Sequence, residues 1–127
     1  MVNTLRFEGR EHKVFVVKTP YGTYPMIVAE RQYGNGGLAL EAISCADIGD
    51  GYLEPEDSFG ILTVNLGTAS KLCQFVKNYS ENEGWAEELA RAIGGKDTGI
   101  REQTGFVTVP FYDFSQMQIY ADYPPRT

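Results

Sequence analysis

The chain has 127 residues, 43% of them hydrophobic and 13% aromatic, enough for one core in one domain and too much for wholesale disorder. Its formal net charge of −6 excludes a general nucleic-acid binder, which needs a basic surface to replace phosphate counterions. No apolar run approaches the ~20 residues needed to cross a bilayer, and Met1 to Glu8 lacks the basic-then-apolar pattern of a signal peptide. A cytoplasmic protein without membrane contact is the expectation.

The first half reads as strands. Thr4 to Phe7 alternates with Leu5 and Phe7 on one face; Glu8-Gly9-Arg10-Glu11 is a turn, and the Val- and Phe-rich run His12 to Lys18 completes a hairpin. Thr19-Pro20-Tyr21-Gly22 has turn chemistry. Met26 to Gln32 is a third strand. Tyr33-Gly34-Asn35-Gly36-Gly37 supplies residues tolerant of positive φ and joins it to a strand from Leu38 to Ile43. Residues 44 to 58 form an acidic loop without Lys or Arg. Asp47, Asp50, Glu54, Glu56 and Asp57 lie in it, and with Glu41 they make six unopposed acids.

Gly60 to Leu66, apolar on both faces except at Thr63 and Asn65, predicts a central strand. Leu72 to Tyr79 follows as another. Ser80-Glu81-Asn82-Glu83 fits a capping box, a Ser N-cap with Glu three residues on. Trp85, Leu89 and Ile93 at spacing four, with a Glu87–Arg91 pair, predict a helix over about 81–93 that ends at Gly94-Gly95. Lys96 to Thr104 reads as a polar connection. Gly105 to Pro110 is a late strand, with Pro110 at a strand end or edge. Phe111 to Tyr120 adds an edge strand. Strands do not alternate with helices, which excludes a doubly wound parallel sheet. The fold class expected is α+β: a single curved antiparallel sheet of about six to eight short strands, one helix on it, one domain over 1–120 and a flexible tail over 121–127. The expected core comprises Leu5, Phe7, Val14, Val16, Ile27, Leu38, Leu40, Leu62, Val64, Phe75, Trp85, Leu89 and Val107.

Chemistry-bearing residues are sparse. Cys45 and Cys73 lack the paired spacing of a zinc or redox motif and read as free thiols. His12, the one histidine, has neither a second metal ligand nor a nucleophile near it in sequence. The acidic loop offers oxygen ligands to Ca²⁺ but lacks the register and closing Glu of an EF-hand. Carboxylates spaced along it could also imitate phosphates toward a basic surface. The glycine-rich 33–37 segment is not a phosphate loop, because a strand follows it rather than a helix. Paired carboxylates for glycoside hydrolysis are present in number, yet nothing places two across a cleft. Tyr21, Tyr24, Tyr33 and Tyr52, in loops or at strand ends, suit a binding face. The polar run around the helix start brings Asn78, Tyr79 and Asn82 forward as binding candidates beside the loop acids Asp47, Asp50, Glu54, Glu56 and Asp57. No catalytic residue, cofactor or metal is expected.

The order Tyr33-Gly34-Asn35-Gly36-Gly37-Leu38-Ala39-Leu40, Leu62-Thr63-Val64-Asn65-Leu66, Lys77-Asn78-Tyr79-Ser80-Glu81-Asn82-Glu83-Gly84, Thr98-Gly99 and Gly105-Phe106-Val107-Thr108-Val109-Pro110 resembles a family of small acidic proteins. They are carried by phages, plasmids and conjugative elements of gut and other anaerobic bacteria, and are catalogued as a domain of unknown function. The resemblance covers residues 4 to 114, and its more specific parts are the helix-start motif and the Leu-Thr-Val-Asn-Leu strand. It implies no enzyme activity and no catalytic residues. This chain departs from the pattern in a longer acidic stretch between Ile43 and Phe59 and in the tail beyond Phe114. The resulting expectation is a non-enzymatic interaction protein of a mobile genetic element, in its narrower form an acidic inhibitor of a host defence system. Its partner would be a host protein with a basic surface, without direct nucleic-acid binding. The alternative is a small-molecule or nucleotide-binding protein that sequesters its ligand.

Overall fold

In a computed structural model, residues 4–20, 22–44 and 57–121 are described. They form ten strands and one α-helix: β1 (Thr4–Phe7), β2 (Arg10–Lys13), β3 (Phe15–Thr19), β4 (Gly22–Gln32), β5 (Leu38–Ser44), β6 (Ser58–Ile61), β7 (Thr63–Val64), β8 (Cys73–Val76), α1 (Ala86–Ala92), β9 (Lys96–Thr104) and β10 (Val107–Asp113). The fold is α+β, mostly strand, with every strand pairing antiparallel. The expected single curved sheet is corrected to three: the hairpin β1-β2, a sheet β3-β4-β5-β6, and a sheet β7-β8-β10-β9.

Alternation along β4 and β5 explains the layering. Met26, Val28, Leu38, Leu40 and Ala42 belong to the main core with Leu62, Val76, Trp85, Leu89 and Tyr112. Ile27, Ala29 and Ile43 face the other way, where Leu5, Phe7 and Val14 of the hairpin region cover them. The sheet is therefore buried on both faces, and its central strands read as near-continuous apolar runs. The first hairpin turns on Glu8 (φ 50) and Gly9 (φ 80), a two-residue turn with both residues left-handed. From that turn the Glu8 carboxylate takes a two-pronged bond from Arg31 at 2.5 and 3.1 Å, and Arg31 also reaches Glu41 at 3.2 Å. These bonds pin the hairpin tip to the sheet.

The predicted strand Gly60 to Leu66 divides. β6 pairs with β5, whereas β7 pairs with β8 in the other sheet. Leu62 stands between them: its N–H donates to Leu40 O at 2.8 Å and its carbonyl accepts from Lys77 N–H at 2.7 Å. One chain segment thus joins the two larger sheets.

Two further expectations are corrected. The helix does not begin at a capping box. Ser80 lies at φ +58 and makes no cap hydrogen bond; an N-cap needs extended backbone. Ser80–Asn82 is instead a short 3-10 turn, Gly84 (φ 87) breaks the path, and α1 starts after Trp85. The segment Lys96 to Thr104 is no connection but the nine-residue edge strand β9; its polar composition reflects near-complete exposure rather than a loop. At the other end of α1 the reading holds: Gly94 (φ 103) follows the helix and Gly95 N–H returns to Ala90 O at 2.8 Å.

Of the expected core, Ile27, Leu38, Leu40, Leu62, Phe75, Trp85 and Leu89 are buried. Leu5, Phe7, Val14, Val64 and Val107 are half-buried, and Val16 is exposed. The strand breaks at Val14 between β2 and β3, and beyond the break the alternation is shifted by one residue, so Val17 rather than Val16 is buried. His12, expected among charged neighbours, is buried. Nδ1 lies 3.1 Å from Val28 O and Nε2 lies 3.2 Å from Phe7 O, so the ring is a structural tie between hairpin and sheet.

Candidate functional site

Two of the sequence-selected residues meet at the start of α1. Asn78 and Asn82 line a cleft of about 260 Å³ together with Gly84, Trp85, Glu87, Glu88 and Arg91. Local geometry explains the convergence. The 3-10 turn folds the 80–82 segment back, the left-handed Gly84 redirects the chain, and the first turn of α1 presents Glu87 and Glu88. Trp85, fully buried, anchors the corner: its indole N–H donates to Glu81 O at 2.8 Å and its ring meets Phe59 edge-on at 4.9 Å. Burying such a side chain stabilises the fold by about 3 kcal/mol.

Glu87 is the centre of a polar network. Its Oε2 accepts from Asn78 Nδ2 at 3.2 Å and its Oε1 from the Tyr112 hydroxyl at 2.9 Å. Arg91 donates to the same hydroxyl at 3.2 Å and stands 3.9 Å from Glu87. Burial and the neighbouring Glu87 carboxylate push the Tyr112 hydroxyl above its ordinary range. Asn82 is fully buried, and its amide nitrogen donates to Ile61 O at 2.5 Å. Tyr79, the third candidate in this run, stands outside the cleft, with the Lys77 ammonium 5.4 Å from its ring centre. Lys77 also pairs with Glu81 at 2.5 Å and lowers that carboxyl to about 2.

Of the acidic-loop candidates, Asp47, Asp50, Glu54 and Glu56 lie outside the described residues, as do Cys45 and Tyr52. Asp57 is exposed at the start of β6, and its backbone carbonyl accepts from Ser44 N–H at 2.8 Å. Among the described residues no three His, Cys, Asp or Glu side chains stand together as a metal site. Cys73 is half-buried, and desolvation, then the Asp113 charge, raises its thiol.

Sequence reasoning missed a second feature, the β9-β10 ribbon. Its turn is Gly105-Phe106, with Gly105 at φ 60 between the paired Thr104 and Val107. Phe106 at the tip is fully exposed, Ile100 is 54% exposed, and β9 buries almost nothing along its length. β8 pairs with β10 only over Phe111 to Asp113, so the outer half of the ribbon runs past the end of β8. Pro110, which has no N–H to give, sits just beyond the last β8 pair. Midway along β9 an irregularity centred on Gly99 (φ 87) breaks the register. Thr98 Oγ1 donates to Phe111 O at 2.8 Å in place of a backbone bond, and Arg101 bridges back to Asp97 at 2.7 Å. This broken, charged edge resists pairing with another strand, so the ribbon offers its tip rather than its flank. Gly-Phe in a two-residue turn was the available signal.

Among the described residues no helix is long and apolar enough to cross a membrane. No family model, curated protein or solved structure matches this chain.

Proposed function

We propose that this chain is a non-enzymatic interaction protein of a mobile genetic element, acting in the cytoplasm on a host protein, in its narrower form as an inhibitor of a host defence system. The observation that carries the reading is the ribbon tip: an aromatic side chain held in full solvent exposure by a turn that contributes nothing to its own core. Holding an aromatic ring in water at that tip gains no burial within the chain, whereas aromatic anchors are the residues that dominate protein–protein binding. The net charge of −6 and the resemblance to small acidic proteins of phages and plasmids support the same reading. The test is affinity capture from host lysate with the wild type, with Phe106→Ser, and with Asp47, Asp50, Glu54, Glu56 and Asp57 changed to Asn or Gln. A specific captured protein should be lost with Phe106→Ser. With the neutralised loop it should associate more slowly, with less dependence on salt. Capture that ignores both changes would sink the proposal.

A second reading, a small-molecule or nucleotide binder, draws on a cleft of about 370 Å³ lined by Glu30, Arg31, Gln32, Leu38, Lys71 and Tyr120. Thermal stabilisation by a member of a nucleotide library would favour it over the first.

A further inference from the structure

The two larger sheets differ in how their faces are covered. In β7-β8-β10-β9, alternation sends Val76 and Tyr112 into the main core and sends Phe75 and Phe111 the other way. Phe75 pairs directly with Val64 on one side and with Phe111 on the other. The three therefore form a row across β7, β8 and β10, with the two phenyl rings 4.7 Å apart. Val107 lies on the same side of β10, and Ile100 of β9 is 54% exposed. None of these five residues joins either core cluster, so among the described residues this apolar face has no second layer. Two charges frame it along β9. Lys96 stands directly opposite Asp113 at one end and Glu102 directly opposite Val109 at the other, and residues so opposed share a face. Both are exposed, and neither makes an ion pair among the described residues. The Asp113 carboxylate, which feels the Lys96 charge, takes the Ser115 N–H. The Arg101–Asp97 pair belongs to the opposite side of the ribbon, where Arg101 faces Pro110 and Asp97 faces Tyr112.

We propose that a second copy of the chain docks on this face, sheet on sheet, about a two-fold axis that runs across the strands between the two faces. Such an axis sets one residue against another and then repeats the contact with the copies exchanged. It lays β9 of one copy over β9 of the other in the opposite direction. Lys96 of each copy then meets Glu102 of the other, so the charge pattern is complementary to itself. Ile100, between them in the chain, sits near the axis, and the Phe75–Phe111 row packs beside it. Stacked sheets lie about 10 Å apart, a gap that interdigitating Val, Ile and Phe side chains fill. The contact uses the face of the ribbon and not its edge. Phe106 at the tip lies outside it, so the dimer remains compatible with binding of another protein there.

The experiment is sedimentation of the full chain over a concentration series. The mass should rise with concentration toward twice 14.1 kDa. Ile100→Asp places a charge at the axis and should leave a folded monomer, with the fold checked by circular dichroism. Lys96→Glu and Glu102→Lys should each weaken the dimer about tenfold, because the axis brings like charges together at two places. The double variant Lys96→Glu with Glu102→Lys exchanges the signs and should recover the wild-type affinity. Phe106→Ser should stay dimeric, which separates this face from the surface tested by capture. A chain that remains monomeric up to about 1 mM would overturn the proposal. So would a dimer indifferent to Ile100→Asp, a double variant no tighter than the single ones, or a Phe106→Ser monomer.

Discussion

Tyr112 of β10 donates its hydroxyl to Glu87 of α1 across 2.9 Å, so the ring that fills the core also fixes the carboxylate at the centre of the cleft. Tyr112→Phe keeps the ring and removes the bond, and it should cost about 1–2 kcal/mol in a denaturant titration. The fold holds Tyr112 protonated, with its ionisation raised by burial and by Glu87. The contribution of this residue is therefore complete below the unfolded tyrosine value of about 10 and falls as pH rises past it. Absorbance titration of wild type against Tyr112→Phe should resolve one late-ionising tyrosine.

Ser80 gives a second check. The left-handed backbone at φ +58 strains any residue with a Cβ. Ser80→Gly should stabilise the protein by about 0.5 kcal/mol, the relief of strain exceeding the added freedom of the unfolded chain. Ser80→Ala, without a cap bond to lose, should change stability by less than about 0.5 kcal/mol. A loss of about 1 kcal/mol in Ser80→Ala would restore the N-cap role that the capping-box pattern suggests.

Two carboxyls should titrate unusually low. Lys77 holds Glu81 at about 2, and Arg101 with the Gly99 N–H holds Asp97 at about 2. Depressed folded values mean that their contribution is present above the ordinary carboxylate range and is lost as pH falls from about 4 toward 2. Carboxyl-carbon NMR titration should show both midpoints near 2, and Lys77→Met should return Glu81 toward its ordinary value of 4.5.

The turn between β4 and β5 separates two glycines by their surroundings. At Gly37 a Cβ would stand 2.2 Å from the backbone oxygen of Thr68, so Gly37→Ala must displace main chain and should cost about 3 kcal/mol. At Gly34 the same atom meets open space without a left-handed φ, so Gly34→Ala should be neutral or stabilising by up to about 1 kcal/mol. Thermal melts should show Gly37→Ala lowered and Gly34→Ala unchanged or raised.

Patterns set by local chemistry were legible in the sequence. Alternation located β1, apolar runs located most of β4 and β5, the glycine run located the 33–37 connection between the latter two, and spacing four located α1 with its Gly94 stop. What failed were features decided by tertiary position. β9 reads as a loop because an edge ribbon in solvent needs no apolar face. Val16 and Val17 are interchangeable in a propensity argument, and only the strand break at Val14 chooses between them. The Ser-x-x-Glu pattern at 80–83 is a good cap on paper, but Gly84 and the burial of Asn82 and Trp85 draw that turn into another conformation. For the site, Asn78 and Asn82 stood out as polar residues at a helix start, whereas Glu87 and Tyr112 meet across elements 25 residues apart and could not be paired beforehand.

The passage of one segment through two sheets at Leu62 has a bearing on how the chain reaches its native state. β6 completes the sheet begun by β3, β4 and β5, and β7 begins the sheet that β8, β10 and β9 complete. Each half of the polypeptide, cut at that point, keeps its own set of paired strands, and Leu62 hydrogen-bonds to both sides of the cut. The two sheets bury their faces in one core, Met26, Val28 and Leu40 of one with Val76 and Tyr112 of the other, so the two should unfold in a single transition. Many of the contacts that close that transition join residues far apart in the chain, such as Leu62 with Leu40 and Glu87 with Tyr112, which places the domain among slow-folding β-rich topologies rather than fast local ones.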